Sequence, residues 1–166
     1  MPQQAMTERD AYLATLDREY ETTLRVIRAY PADKLDLRPS PRSKSARDLI
    51  WMLVISHGVP QALLQDAMIP QPLPPAPSTH AELVAAFERT HRDVQDALAA
   101  MTEQHMQGTL RMPVGPGQVS DVPRSQALWM MLYDTIHHRG QLSVYLRMAG
   151  SVLPPIYGPT LEQPWW

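Results

Sequence analysis

The chain contains no cysteine. That absence excludes disulfides, thiolate metal ligands and a cysteine nucleophile. Any thiolate in its chemistry must come from a second molecule. Positive charge is not in excess either. The formal net charge of -2 argues against general nucleic-acid binding, which needs a basic surface. Long hydrophobic runs are missing: the densest, LIWMLVI, is far too short to span a bilayer. The opening stretch MPQQAMTERDAYL has no basic segment followed by an apolar one, so no signal peptide is expected. These features predict a cytoplasmic protein, and 166 residues predict one domain, 1–166, with one sizeable core. No internal repeat is visible.

Proline is abundant, at seventeen against seven glycines. Most prolines fall between helical segments and act as stops. The first predicted helix spans 7–29, with Leu13, Leu16, Tyr20, Leu24 and Ile27 at three- and four-residue steps. Thr7 with Asp10 suits its N-terminus. The second spans 45–67, entered at Ser45 with Asp48. Leu49, Met52, Leu53, Ser56, Pro60, Leu63 and Leu64 share one face, and Pro60 predicts a kink. Thr79 and Glu82 form a capping box for the third, 79–101. A loop with room for a short hairpin leads to the fourth, 123–149, which Gly150 closes. Long helices without core strands predict an all-α, antiparallel four-helix bundle with long proline-rich connections.

The fourth helix carries the stretch DTIHHRGQLSVYLRMAG, residues 134–150. At about 100° per residue, Leu128, Met131, Leu132, Thr135, Leu142 and Leu146 cluster on one side. His138 falls inside that cluster, and Asp134 lies about 40° away and one turn earlier. An i, i+4 carboxylate–imidazole pair is a workable two-donor metal clip. Such i, i+4 pairs are common, and the spacing alone favours a self-satisfied hydrogen-bonded pair. His137 points off the stripe. Arg139 falls back on it and needs an acceptor, since a buried charge is costly; a carboxylate or the C-terminal tail would serve. His80, His91 and His105 are expected to face solvent.

The stretch HHRGQL, the tail motif IYGP and the entry SPRSKSARDLIWM into the second helix resemble the DinB/YfiT-like superfamily, in its DinB branch. The resemblance covers nearly the whole chain. It implies a divalent metal, zinc or nickel, held by one histidine on helix two and an H-x-x-x-H pair on helix four. His138 matches the second histidine of that pair, and Asp134 stands where the first would be. The helix-two position corresponds to Met52, whose thioether is a poor ligand for such an ion. His57 is a possible substitute, but it is rotated about 140° from Met52, a face that Ser56 shares instead.

The resemblance implies a metal-dependent hydrolase or low-molecular-weight-thiol transferase with a degenerate site at His138, Asp134 and His57, acting on a small molecule. The alternative is a non-catalytic binding or stress-response module that has lost the metal. The family's name marks induction by DNA damage, which is regulation and not chemistry. A homodimer is expected, because Trp51, Trp129, Trp165, Trp166 and several of the ten methionines are hard to bury in one small bundle.

Overall fold

A computed structural model describes residues 6–67 and 72–165. Helix α1 spans Glu8–Arg28, α2 Ala46–Leu64 and α3 His80–Ala100. A one-turn helix α4, Glu103–Met106, leads into an antiparallel ribbon of β1, Thr109–Gly115, and β2, Gln118–Pro123. Helix α5 follows at once, Arg124–Met148.

The helix starts follow from their caps. Thr7 Oγ1 accepts from the Asp10 N–H, and Ser45 Oγ from the Asp48 N–H, both at 3.1 Å. Thr79 and Glu82 form the full reciprocal box. At the end of α5, Gly150 takes φ +78°, a backbone that glycine adopts without a Cβ penalty. Its N–H reaches the Arg147 carbonyl and that of Ser151 the Leu146 carbonyl, closing the last turn. Helix α2 runs unbroken through Pro60 and ends at Leu64. There the guanidinium of Arg124 donates to the Leu63 carbonyl and, at 2.7 Å, to Asp66. Of the four tryptophans, Trp51 is half-buried and donates to the Pro74 carbonyl at 2.7 Å. Trp129 packs edge-on against Tyr12, Trp165 is exposed, and Trp166 lies outside the described residues.

The helix order departs from the expected all-antiparallel bundle. Tyr12 meets Trp129, Glu19 meets Arg139 and Ala29 meets Ser151, so α1 and α5 run the same way. Ser56 meets Asp134 while Lys44 meets Tyr145, so α2 opposes α5. Arg28 meets Glu88 while Asp17 meets Gln95, so α3 opposes α1 and parallels α2. The connection 65–79 permits this. An extended chain of that length spans roughly 50 Å, more than the roughly 30 Å rise of α2, so α3 can start at the end of the bundle where α2 began.

The core is two apolar clusters. One gathers Ile27, Leu49, Leu53, Phe87, Leu142 and Leu146. The other gathers Tyr12, Leu16, Leu63, Val94, Leu98 and Leu128. Between them all four long helices contribute buried polar side chains: Glu19 and Thr23 from α1, Ser56 and His57 from α2, His91 from α3, Thr135 and Arg139 from α5. Buried polar groups must be partnered, and this belt is where the functional candidates lie.

Candidate functional site

On α5, Asp134 and His138 stand one turn apart at the edge of the belt, with His138 Nε2 3.4 Å from Asp134 Oδ2. Across the seam, Ser56 of α2 donates its hydroxyl to the same Oδ2 at 2.6 Å. Met52 lies one turn before Ser56 on α2, and His138 one turn after Asp134 on α5. Because the helices are antiparallel, this register sets the half-buried Met52 level with His138. The His138 side chain is 15 % exposed and that of Asp134 41 % exposed, so the pair is open to solvent.

Gln141 joins both histidines through its amide, with Oε1 3.1 Å from His138 Nδ1 and Nε2 3.0 Å from His137 Nε2. In that polarity His138 carries its proton on Nδ1 and turns the Nε2 lone pair towards the Asp134 carboxylate, an arrangement suited to a cation between them. Beside His138 a cleft of about 460 Å³ opens, lined on the α5 side by His138, Gln141, Val144 and Tyr145 and on the α2 side by Leu49.

His57 is turned the other way. It is 1 % exposed, and its Nε2 lies 3.0 Å from His91 Nδ1. His91 Nε2 in turn lies 3.4 Å from Asp17 Oδ1, which also accepts from Gln95 at 3.0 Å. If His91 turns its Nε2–H to Asp17, its Nδ1 accepts from His57, and His57 Nδ1 is left buried without a partner. Burial, with a smaller contribution from His91, pushes the His57 pKa down to about 3. Tyr20 stacks on His91 with ring centroids 3.6 Å apart. His91 is therefore buried, not solvent-facing as expected from the sequence. The signal was present: Phe87, His91, Val94 and Leu98 are spaced by four, three and four along one face of α3. Of the other two, His80 Nε2 sits 2.8 Å from the Ile27 carbonyl, and His105 is half-buried near Asp66.

Arg139, next to His138, is 1 % exposed and donates to Glu19 Oε2 at 2.7 Å, with Thr23 Oγ1 at 3.2 Å. Tyr157, from the segment after α5, closes this cluster. Its hydroxyl accepts from Arg139 at 2.5 Å and donates to Glu19 at 2.8 Å. Burial and the bond to Glu19 push the Tyr157 pKa up, so the hydroxyl stays a donor. Arg139 thus anchors the tail to α1, with its charge committed to Glu19. Sequence reasoning missed Glu19 as its partner, although Leu16, Glu19 and Thr23 step by three and four along the buried face of α1.

A resident metal would need a third donor beside Asp134 and His138. The α2 face there offers a thioether at Met52 and a hydroxyl at Ser56 that already donates to Asp134. Among the described residues no three His, Asp or Glu side chains converge as ligands. The donor set does not fit a three-ligand zinc or nickel centre.

Residues 1–165 match the family model described as DinB family. The chain belongs to the DinB family. This DinB chain is 24 % identical to the uncharacterized protein YrdA of Bacillus subtilis (strain 168) over 163 residues, covering 93 % of this chain and 90 % of that protein. Its fold is similar to that of a DinB-like protein from Bacillus cereus ATCC 10987, with a TM-score of 0.76 at 19 % identity over 89 % of this chain and 97 % of the other. It is also similar to YfiT from Bacillus subtilis, with a TM-score of 0.63 at 14 % identity over 90 % and 93 % of the two chains. YfiT is described as "a probable metal-dependent hydrolase with an unusual four-helix bundle topology". In this chain the α1–α5 and α2–α3 pairs run parallel, unlike those of a simple up-and-down bundle.

Proposed function

We propose that this DinB chain is a small-molecule-binding bundle that works through the cleft beside His138 without a resident three-ligand metal. The observation that carries this reading is the α2 side of the seam. Ser56 Oγ holds Asp134 Oδ2 at 2.6 Å, and the register sets Met52 level with His138. The Asp134 carboxylate accepts that short hydrogen bond and is 41 % exposed, so water can solvate its charge without a cation. The site then offers His138 and Gln141 to a ligand in the cleft as donors or acceptors.

A second reading is supported by the Asp134–His138 geometry. Two hard or borderline donors 3.4 Å apart form half of a divalent site, and YfiT is described as metal-dependent. On this reading the chain is a hydrolase or low-molecular-weight-thiol transferase whose metal is held by Asp134, His138 and two solvent or substrate atoms. Elemental analysis of protein made without a histidine tag, grown with added zinc and nickel, separates the two. The first reading predicts well under one divalent ion per chain after dialysis. About one ion per chain would overturn it in favour of the second.

A further inference from the structure

The residues from Leu37 to Arg47 include four cations, Arg38, Arg42, Lys44 and Arg47, and no acid, in a chain whose net charge is -2. Two of the four are engaged. Arg38 lies 3.6 Å from Asp48, and Arg47 pairs with Asp36 at 2.8 Å. Among the described residues Arg42 and Lys44 pair with no carboxylate within 4.0 Å. Lys44 lines the cleft beside His138, together with Pro39 and Ser43. The segment that presents it is pinned at three points. The Tyr145 hydroxyl donates to the Lys44 carbonyl at 3.0 Å, Arg38 to the Ser43 carbonyl at 2.8 Å, and Ser40 and Ser43 join through their hydroxyls at 3.0 Å.

The N-terminus of α2 adds a positive field at the same place, but no hydrogen bonds. Its N–H groups are taken: Ala46 and Arg47 donate to the Leu37 and Leu35 carbonyls, Asp48 to Ser45 Oγ and Leu49 to the Ser45 carbonyl. Recognition of a negative group therefore falls to the Lys44 ammonium, with His138 and Gln141 as polar neighbours. The remaining walls, Pro39, Leu49 and Val144, are apolar. One unpaired cation in the lining matches one negative charge, and the absence of a free guanidinium fork from the lining argues against a phosphate dianion.

We propose that this cleft binds small amphiphilic monoanions, with a carboxylate at Lys44 and a short apolar body along Leu49 and Val144. The proposal rests on the reading of the chain as a small-molecule-binding bundle and names its ligand class.

The test is a heteronuclear NMR titration of the full chain with hexanoate, hexanol, hexylammonium and inorganic phosphate. Hexanoate should shift the signals of Leu49, His138 and Val144 and bind about two- to fivefold tighter than hexanol, the range expected of one exposed ion pair. Hexylammonium and phosphate should leave those signals in place. Lys44→Gln, an exposed substitution, should bring hexanoate down to the level of hexanol and leave hexanol unchanged. Equal binding of hexanoate and hexanol in the cleft, or an unchanged hexanoate affinity in Lys44→Gln, overturns the anion selectivity alone. Preferential binding of hexylammonium reverses its sign, and phosphate binding as tightly as hexanoate removes the apolar body. If none of the four moves the cleft signals, the small-molecule reading falls with it.

Discussion

His138 and Arg139 are neighbours in sequence and opposites in circumstance. Arg139 is buried and meets Glu19, Thr23 and Tyr157, so its charge is neutralised and hydrogen-bonded on several sides. His138 is partly exposed, faces a cleft, and shares Asp134 with a serine from another helix. A helix turns about 100° per residue, and that single step carries the chain from a structural anchor to a candidate binding site. The difference teaches that a polar residue beside the core is assigned by what satisfies it. A group whose valences are filled by its own fold holds the fold; a group left half-filled at a cleft is available to a ligand.

The largest effect should come from breaking the anchor. Glu19→Ala leaves the Arg139 guanidinium buried without its carboxylate, an expected loss of about 3–5 kcal/mol in unfolding free energy. His138→Ala should cost less than about 1 kcal/mol, since its partners stay solvated. Urea denaturation of both variants checks this. Similar losses at the two positions would erase the distinction between anchor and site.

Next in size is the acid response of the third polar region, the His57–His91 pair. Burial holds His57 neutral, with its pKa down to about 3, against about 6.5 for a free imidazole. Above pH about 6.5 both folded and unfolded His57 are neutral, and its contribution is fully present. Below that the unfolded chain takes up a proton that the fold refuses, so stability falls with pH until about 3. Stability curves measured across this window should be less steep for His57→Gln than for the wild type. An unchanged slope would mean that His57 is not the buried neutral group.

A smaller effect is expected at the tail. Tyr157→Phe removes the hydroxyl between Arg139 and Glu19 but leaves their ion pair, for a loss of about 1 kcal/mol. Thermal melting resolves that from the Glu19→Ala loss, and a larger loss in Tyr157→Phe would make the hydroxyl, not the carboxylate, the main partner of Arg139.

The mildest perturbation tests the homodimer expected from the sequence. The outer face of α5 exposes Met130, Tyr133, Val144 and Met148. These positions fall nearly symmetrically about the midpoint of His137 and Gly140, where an added Cβ would touch nothing. Such a stripe can pair with a second copy about a two-fold axis, Met130 against Met148. Light scattering should report a dimer for the wild type and a monomer for Tyr133→Glu, with little change in the melting of the bundle. A wild-type monomer at high concentration would contradict the pairing.

The helices were legible because their starts are chemical signals: Thr7, Ser45 and Thr79 each cap three residues ahead. The spacing of Asp134 and His138 likewise gave their shared orientation. The helix order was not legible, because residues 65–79 are long enough either to turn back or to cross the bundle, and nothing local decides between the two. Partners across helices were equally hidden. Ser56 reads as one more small residue on the apolar face of α2, and its bond to Asp134 depends on which helix lies opposite. His91 and Glu19 were on their stripes, but a polar residue on a stripe names its partner only once the neighbouring helix is placed.

The missing third donor is tested most directly at Met52. Calorimetric titration of zinc into wild type and Met52→His, followed by melting with and without the metal, compares two donors with three. Met repacks readily, and the histidine should complete the ligand set with Asp134 and His138. Zinc should bind weakly or not at all to the wild type and tightly to Met52→His. The variant should be stabilised by about 3–4 kcal/mol at free zinc several hundred to a thousand times the dissociation constant, a gain that Asp134→Ala removes. Tight binding and a full metal-dependent shift in the wild type, with nothing added by Met52→His, would contradict a site short of its third donor.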